Sequence, residues 1–280
     1  MTLGFANRLA GVFAGQGRLC VGIDPHAWLL SEWNLPDNAA GAREFGLRVV
    51  DAAAGLAGIV KPQVAFFERF GSRGFDALEQ VIRDARDRGI LVIADAKRGD
   101  VGSSVDAYGE TWLGGGSPLE SDAVTLNPFQ GVGALSGPFA LAESNGKGVF
   151  VLAATSNPEG IAGQKAKLAS GQTVARSILD EVTTWNTAHT TGLLGNVGVV
   201  LGATLDLSGF ELGSVPIPAP PVLAPGFGHQ GASVSELKTI YGDLADGVIV
   251  SESRALLAAG PGGIRQAIAA RAEEVRLASG

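Results

Sequence analysis

Short apolar runs rich in β-branched residues recur along the chain and alternate with stretches whose apolar residues fall at helical spacing. The runs predict strands near 19–23 (LCVGI), 58–61 (GIVK), 90–95 (ILVIAD), 122–126 (DAVTL), 148–154 (GVFVLAA), 196–202 (NVGVVLG), 221–224 (PVLA) and 246–250 (DGVIV). Continuous rather than alternating apolar character marks strands buried on both faces. The intervening stretches predict helices near 38–56, 73–88, 103–113, 131–145, 171–190, 233–241 and 262–278. In 73–88, Phe75, Leu78, Val81, Ile82 and Ala85 share one face, with Asp, Glu and Arg on the other. The proline-rich stretch 205–220 is weakly patterned and is expected to be irregular with little helix. Alternating strands and helices imply a parallel sheet. An eight-fold alternation over 280 residues with no linker favours a single-domain (β/α)8 TIM barrel spanning 1–280 over a doubly wound sheet. In a barrel of this kind the active site lies at the C-terminal ends of the strands, so residues there belong to one surface.

Composition narrows the function classes. The net charge is −7 and the pI about 5.0, without the basic face a nucleic-acid binder needs. An anionic small substrate remains compatible, because a local site can be positive on an acidic chain. The one cysteine, Cys20, excludes an internal disulfide, and its place in LCVGI reads as a packed core thiol. No signal-peptide pattern opens the chain and no run approaches the ~20 apolar residues of a membrane span, so a cytoplasmic protein is expected.

The strand ends carry the chemistry. Strand 3 opens into Asp95-Ala96-Lys97-Arg98-Gly99-Asp100. Strand alternation sends Asp95 and Lys97 out on one side, and two carboxylates around one ammonium hold it charged and oriented. Taken alone, such residues also arise as exposed pairs of little energetic weight, and Asp100 can equally cap a helix starting near Ser103. The other ends tip the balance: Asp24-Pro25 after strand 1, Lys61-Pro62-Gln63 after strand 2, Asn127-Pro128 after strand 4, and Thr155-Ser156-Asn157-Pro158 after strand 5. Lysines are not the usual residues of turns. After strand 7, Gly226, Gly228 and Gly231 surround His229 and Gln230, and strand 8 runs into Glu252, Ser253 and Arg254. Glycine-rich backbone at this position of a barrel commonly binds phosphate, and Arg254 supplies a planar, permanently charged donor suited to it. Asp24 can receive two ribose hydroxyls, and Ser156 can read the amide edge of a heterocycle.

The strings CVGIDPH (20–26), VKPQVAFFE (60–68), ADAKRGDVGSS (94–104), VFVLAATSNPEG (149–160), VLAPGFGHQG (222–231) and SRALL (253–257) together resemble the orotidine 5′-phosphate decarboxylases, specifically the longer bacterial subgroup typified by mycobacterial enzymes. They run from the first strand to the last. The resemblance implies conversion of orotidine 5′-monophosphate to UMP and carbon dioxide, the last step of de novo pyrimidine nucleotide synthesis, without cofactor or metal. It matches Lys61, Asp95, Lys97 and Asp100 to the family's charged array, with Asp100 reaching into a neighbouring subunit's site in a homodimer and Ser104 touching the ribose there. It matches Asp24 to the ribose, Ser156 to the pyrimidine, and Gln230 and Arg254 to the phosphate. Gly226, Gly228 and Ser253 belong with the substrate-binding set. It assigns no role to Asn127, His229, Glu252 or residues 205–220. Two alternatives stand beside it: a Mg²⁺-dependent sugar-phosphate decarboxylase or aldolase sharing D-x-K-x-x-D, and a non-catalytic nucleotide-binding barrel.

Overall fold

The computed structural model describes residues 3–213 and 217–279. Eight parallel strands close into a barrel in consecutive order: β1 Leu19–Ile23, β2 Ile59–Pro62, β3 Leu91–Arg98, β4 Ala123–Leu126, β5 Gly148–Ala154, β6 Val197–Leu201, β7 Val222–Pro225 and β8 Val248–Glu252. β8 returns to β1, pairing Leu19 with Val250 and Cys20 with Ser251. All eight predicted strands are present within two residues at nearly every boundary. β3 extends further than expected, through Lys97 to Arg98.

Side-chain alternation splits each strand between two cores. Cys20, Ile59, Leu91, Ile93, Ala123, Phe150, Val200, Leu223 and Ile249 fill the barrel interior. Their neighbours Val21, Val60, Val92, Val124, Val151, Val199 and Val250 face the helical layer. Continuing the inward-facing positions toward the C-terminal ends gives Lys61, Asp95, Thr125 and Ser251. The interior therefore changes from apolar to polar at one level of the barrel, and that level is the floor of the mouth. Burial pushes the Cys20 thiol up to about 12, in keeping with a core thiol.

The N-terminal end is sealed by a helix that the sequence reading omitted, Phe5–Gln16. Phe5 and Leu9 enter the interior, and Phe5 packs edge-on against Phe150 with ring centroids 5.9 Å apart. Gly148 is bare because a Cβ there would meet the Phe5 ring at 2.4 Å.

Elsewhere the helices follow the expected positions with two corrections. The stretch predicted as one helix over 131–145 is a 3-10 turn, Val132–Leu135, followed by the helix Ser136–Ser144, where Pro138 is accommodated in the first turn. The stretch 233–241 likewise divides into Val234–Glu236 and Leu237–Tyr241. Short helices also occupy loops at the mouth, notably Pro158–Lys165, which buries none of its residues, and Arg254–Leu257. Of the 205–220 connection, 214–216 lie outside the described residues; the described part contains one 3-10 turn, Leu207–Phe210. No helix among the described residues is long and apolar enough to cross a membrane.

Candidate active site

A cavity of about 340 Å³ opens at the C-terminal mouth and is lined by residues of β2, β3, β5, β6, β7 and β8 and of the loops that follow β1, β2, β5, β7 and β8. At its floor Asp95, 7% exposed, accepts four hydrogen bonds. Lys61 Nζ and Gln63 Nε2 donate to Oδ2 at 3.0 and 2.9 Å, and Lys97 Nζ and Thr125 Oγ1 donate to Oδ1 at 2.6 and 2.9 Å. Burial alone would raise the Asp95 carboxyl, but the Lys61 and Lys97 ammonium groups hold it well below the usual carboxylate range. Burial works against the charge on Lys61 too, yet Asp95 and Asp24 keep it above its ordinary value. The floor is thus a fixed lysine–aspartate–lysine array, with Lys97 the half-exposed member turned to the cavity.

The way Lys97 reaches this position corrects the simple alternation argument. The β3–β4 ladder shifts register between Ala94 and Arg98, and Lys97 adopts φ +49°, a left-handed conformation uncommon for a side-chain-bearing residue. Its side chain comes back to Asp95 through that distortion, with no regular pleat beneath it. Its backbone N–H donates to Thr125 Oγ1 at 2.9 Å.

Asp24 closes the β1 side. Its Oδ2 accepts the Ser253 hydroxyl, and its Oδ1 is buried without a hydrogen-bond partner, an acceptor left for a ligand hydroxyl. Ser253, expected among the substrate-binding residues, lines the cavity but commits its hydroxyl to Asp24. Gly22 makes room for this contact, since a Cβ there would meet Ser253 Cβ at 2.6 Å.

Across the mouth, Ser156 Oγ donates to Gln230 Oε1 at 3.2 Å and so joins the β5 and β7 loops. Gly226 and Gly228 have φ +118° and +68°; Gly226 lines the cavity with Gln230 and Arg254, and Gly228 lies between the lining residues Phe227 and His229. A Cβ on Gly228 would approach Arg271 and Glu252 side-chain atoms at 2.9 Å. Glu252 is buried and ion-paired with Arg271 at 2.8 Å beneath this loop; burial pushes its carboxyl up against the pull of Arg271.

Three predicted residues are absent from the cavity lining: Gly228, which sits between the lining residues Phe227 and His229, and Asp100 and Ser104. Asp100 accepts the backbone N–H of Val101 at 2.9 Å, and Ser104 is exposed on the helix Gly102–Leu113, whose N-cap is Val101 rather than Asp100. On the same helix and at its N-cap, Tyr108 (36%) and Val101 (55%) are exposed, as is Phe129 (89%) after β4. Asn127 is a turn residue, its Oδ1 accepting the Phe129 N–H at 3.1 Å.

The sequence reading passed over Gln63, Thr125 and His26. Thr125 is the lone hydroxyl in AVTL at an inward position, a signal that alternation exposes; Gln63 follows Lys61 by two, the same alternation. His26 lies on Phe66, ring centroids 4.1 Å apart, and lines the cavity beside Asp24; burial lowers its pKa, assisted by nearby Arg254. Leu152, Val200 and Leu223 supply an apolar part of the cavity lining.

A larger groove of about 1020 Å³ lies at the opposite end of the barrel. Within it Arg8 pairs with Asp122 and Arg86 with Glu120, whereas at the mouth two lysines converge on the single buried carboxylate of Asp95 at the cavity floor. The mouth is therefore the candidate site. Among the described residues no cluster of three or more His, Cys, Asp or Glu is arranged to hold a metal ion.

Residues 17–263 match the model of the orotidine 5′-phosphate decarboxylase / HUMPS family. An orotidine 5′-phosphate decarboxylase of Salinispora tropica is 50% identical over 257 residues, covering 92% of this chain and 91% of the relative. One from Corynebacterium efficiens is 48% identical over 281 residues, covering 98% of each. A crystal structure from Streptomyces avermitilis superposes with a TM-score of 0.93 at 44% identity, covering 99% of this chain and 96% of that one. The OMP decarboxylase of Leishmania donovani gives a TM-score of 0.78 at 30% identity, covering 99% of each chain.

Proposed function

The chain belongs to the orotidine 5′-phosphate decarboxylase / HUMPS family and decarboxylates orotidine 5′-monophosphate to UMP in pyrimidine nucleotide synthesis, and we propose that Lys97 is the group that stabilises and then protonates the reacting carbon. The observation that carries this reading is the Lys61–Asp95–Lys97 array at the floor of the mouth, with Lys97 alone among the three half-exposed to the cavity.

In this reading the bond from carbon 6 to the carboxylate breaks, its electron pair stays on carbon 6, and carbon dioxide leaves. The carbanion has little resonance help, so fixed charge must supply most of the stabilisation. The Lys97 ammonium meets the developing charge and transfers a proton to carbon 6; solvent restores the proton to the amine. Asp95 stands beside the departing carboxylate and its charge is tolerated because two lysines flank it. Repulsion there raises the ground state toward the transition state. The apolar lining of Leu152, Val200 and Leu223 receives neutral carbon dioxide more readily than a carboxylate.

The remaining residues bind. Asp24, with its open buried oxygen, takes ribose hydroxyls; Ser156 and Gln230 meet the pyrimidine and the phosphate; Gly226, Gly228 and Arg254 take the phosphate. The largest enzymatic accelerations correspond to about 23 kcal/mol, more than one ion pair provides. Phosphate binding energy spent in closing the β5 and β7 loops and excluding water is the natural complement. The Pro158–Lys165 helix, with no buried residue, is suited to move in that closure.

Asp100 and Ser104 act on a second copy of the chain across a homodimer interface built on the Val101, Tyr108 and Phe129 surface. The chain works as one catalytic unit over 1–280 in the cytoplasm, on a small nucleotide, with neither nucleic acid nor membrane as partner. The test is the loss of orotidine 5′-monophosphate absorbance on adding protein, with and without EDTA. EDTA-insensitive formation of UMP is expected. Activity abolished by EDTA and restored by Mg²⁺ would transfer the site to the sugar-phosphate branch of the family.

A further inference from the structure

Thr125 is fully buried on β4 at an inward position and does not line the cavity. Its hydroxyl nevertheless touches both members of the reactive pair. It accepts the backbone N–H of Lys97 at 2.9 Å and donates to Asp95 Oδ1 at 2.9 Å. Lys97 Nζ donates to that same oxygen at 2.6 Å. The contacts form a closed ring from the Lys97 backbone through its side chain, the Asp95 carboxylate and the Thr125 hydroxyl back to the Lys97 N–H.

The donors in this ring are unambiguous. The carboxylate receives four donors, so the hydroxyl proton is directed to Asp95, and the oxygen lone pairs remain for the N–H of Lys97. That N–H needs such an acceptor, because the β3–β4 ladder is displaced between Ala94 and Arg98 and supplies no regular partner at Lys97. The residue it fixes has φ +49°, a conformation that persists only when its surroundings over-determine it.

We infer that Thr125 is a positioning residue: its hydroxyl holds the left-handed Lys97 backbone and orients the Asp95 oxygen that receives Lys97 Nζ. The inference rests on the role proposed for Lys97. Valine is nearly isosteric with threonine but neither donates nor accepts, so it removes both contacts and little volume. Serine keeps the hydroxyl and loses only a methyl group.

The experiment compares Thr125→Val, Thr125→Ala, Thr125→Ser and Lys97→Ala for kcat, KM, UMP binding by calorimetry and thermal unfolding. Thr125→Val is expected to lower kcat on the order of 100-fold, as small misplacements of reacting groups do. KM and UMP affinity stay near wild type because Thr125 contacts no ligand, and Thr125→Ser recovers most of the turnover. If the valine variant does not fold, the alanine variant, which leaves space for water, carries the same expectation. A folded valine or alanine variant with wild-type kcat, or a serine variant as impaired as valine, overturns the inference. Should that occur while Lys97→Ala is inactive, the role of Lys97 stands and only that of Thr125 falls. A Lys97→Ala enzyme with wild-type turnover removes both.

Discussion

Lys97 Nζ lies 2.6 Å from Asp95 Oδ1 although the two residues are separated by a single position whose strand ladder is broken. The left-handed backbone at Lys97 makes this approach possible, and the four donors around Asp95 keep the carboxylate ionised in a site that is 7% exposed. A charge that burial would extinguish is thereby maintained at the floor of the cavity.

The pairing makes stability depend on acid in a definite direction. Asp95 is held below its unfolded value, so its contribution is complete above the unfolded carboxylate pKa of about 4 and declines as pH falls below it. Asp95→Asn should therefore be less stable than wild type at pH 6, with the gap narrowing by pH 3. Urea unfolding at the two values checks this, and a gap independent of pH would contradict it.

Arg254 is expected to act on binding energy. Arg254 is exposed, and Arg254→Ala should lower kcat/KM on the order of 10²- to 10³-fold, as removing one partner of a charge pair does once the bound phosphate desolvates it. Added guanidinium ion should restore part of the loss. A nucleoside substrate lacking the phosphate should react equally slowly with both enzymes; an equal further loss with that substrate would remove Arg254 from the phosphate site.

Gly228 answers both to conformation and to space. At φ +68°, with Arg271 and Glu252 atoms 2.9 Å from the position of a Cβ, Gly228→Ala should destabilise the chain by about 1–3 kcal/mol and raise KM. Thermal unfolding and steady-state kinetics report the two effects separately. An unchanged KM would detach the loop from the phosphate.

Action of Asp100 across subunits is tested by mixing. Asp100→Ala and Lys97→Ala chains should each be inactive alone. Hybrid dimers then contain one site with its own Lys97 and the partner's intact Asp100, so activity should reappear on mixing. No recovery in verified hybrids would place Asp100 outside the neighbouring site.

Much of this was legible before the structure because inward strand positions turn polar at one level. Lys61 and Asp95 stand where the alternation of LCVGI-like runs places them, and Asp24, Ser156, Gln230 and Arg254 follow at strand ends. The left-handed turn of Lys97 was not legible, since periodicity assumes an unbroken pleat. Gln63 escaped because one polar residue beside a turn resembles many that only satisfy backbone, and Thr125 because the inward side of the short run AVTL was not read out. The helix Phe5–Gln16 carried a readable signal in Phe5, Leu9, Val12 and Phe13 and was nonetheless omitted. Asp100 and Ser104 lie outside the cavity of this chain, and strand-end position alone did not separate them from the residues that line it.

The most direct measurement is the turnover of Lys97→Ala on orotidine 5′-monophosphate, with folding verified by thermal unfolding. The Lys97 side chain is 45% exposed, so its loss should leave the fold intact. Combined removal of charge stabilisation and proton donation should lower kcat by at least about 10⁴-fold. A folded variant within about tenfold of wild type, no more than the loss of one minor contact, would contradict the role given to Lys97.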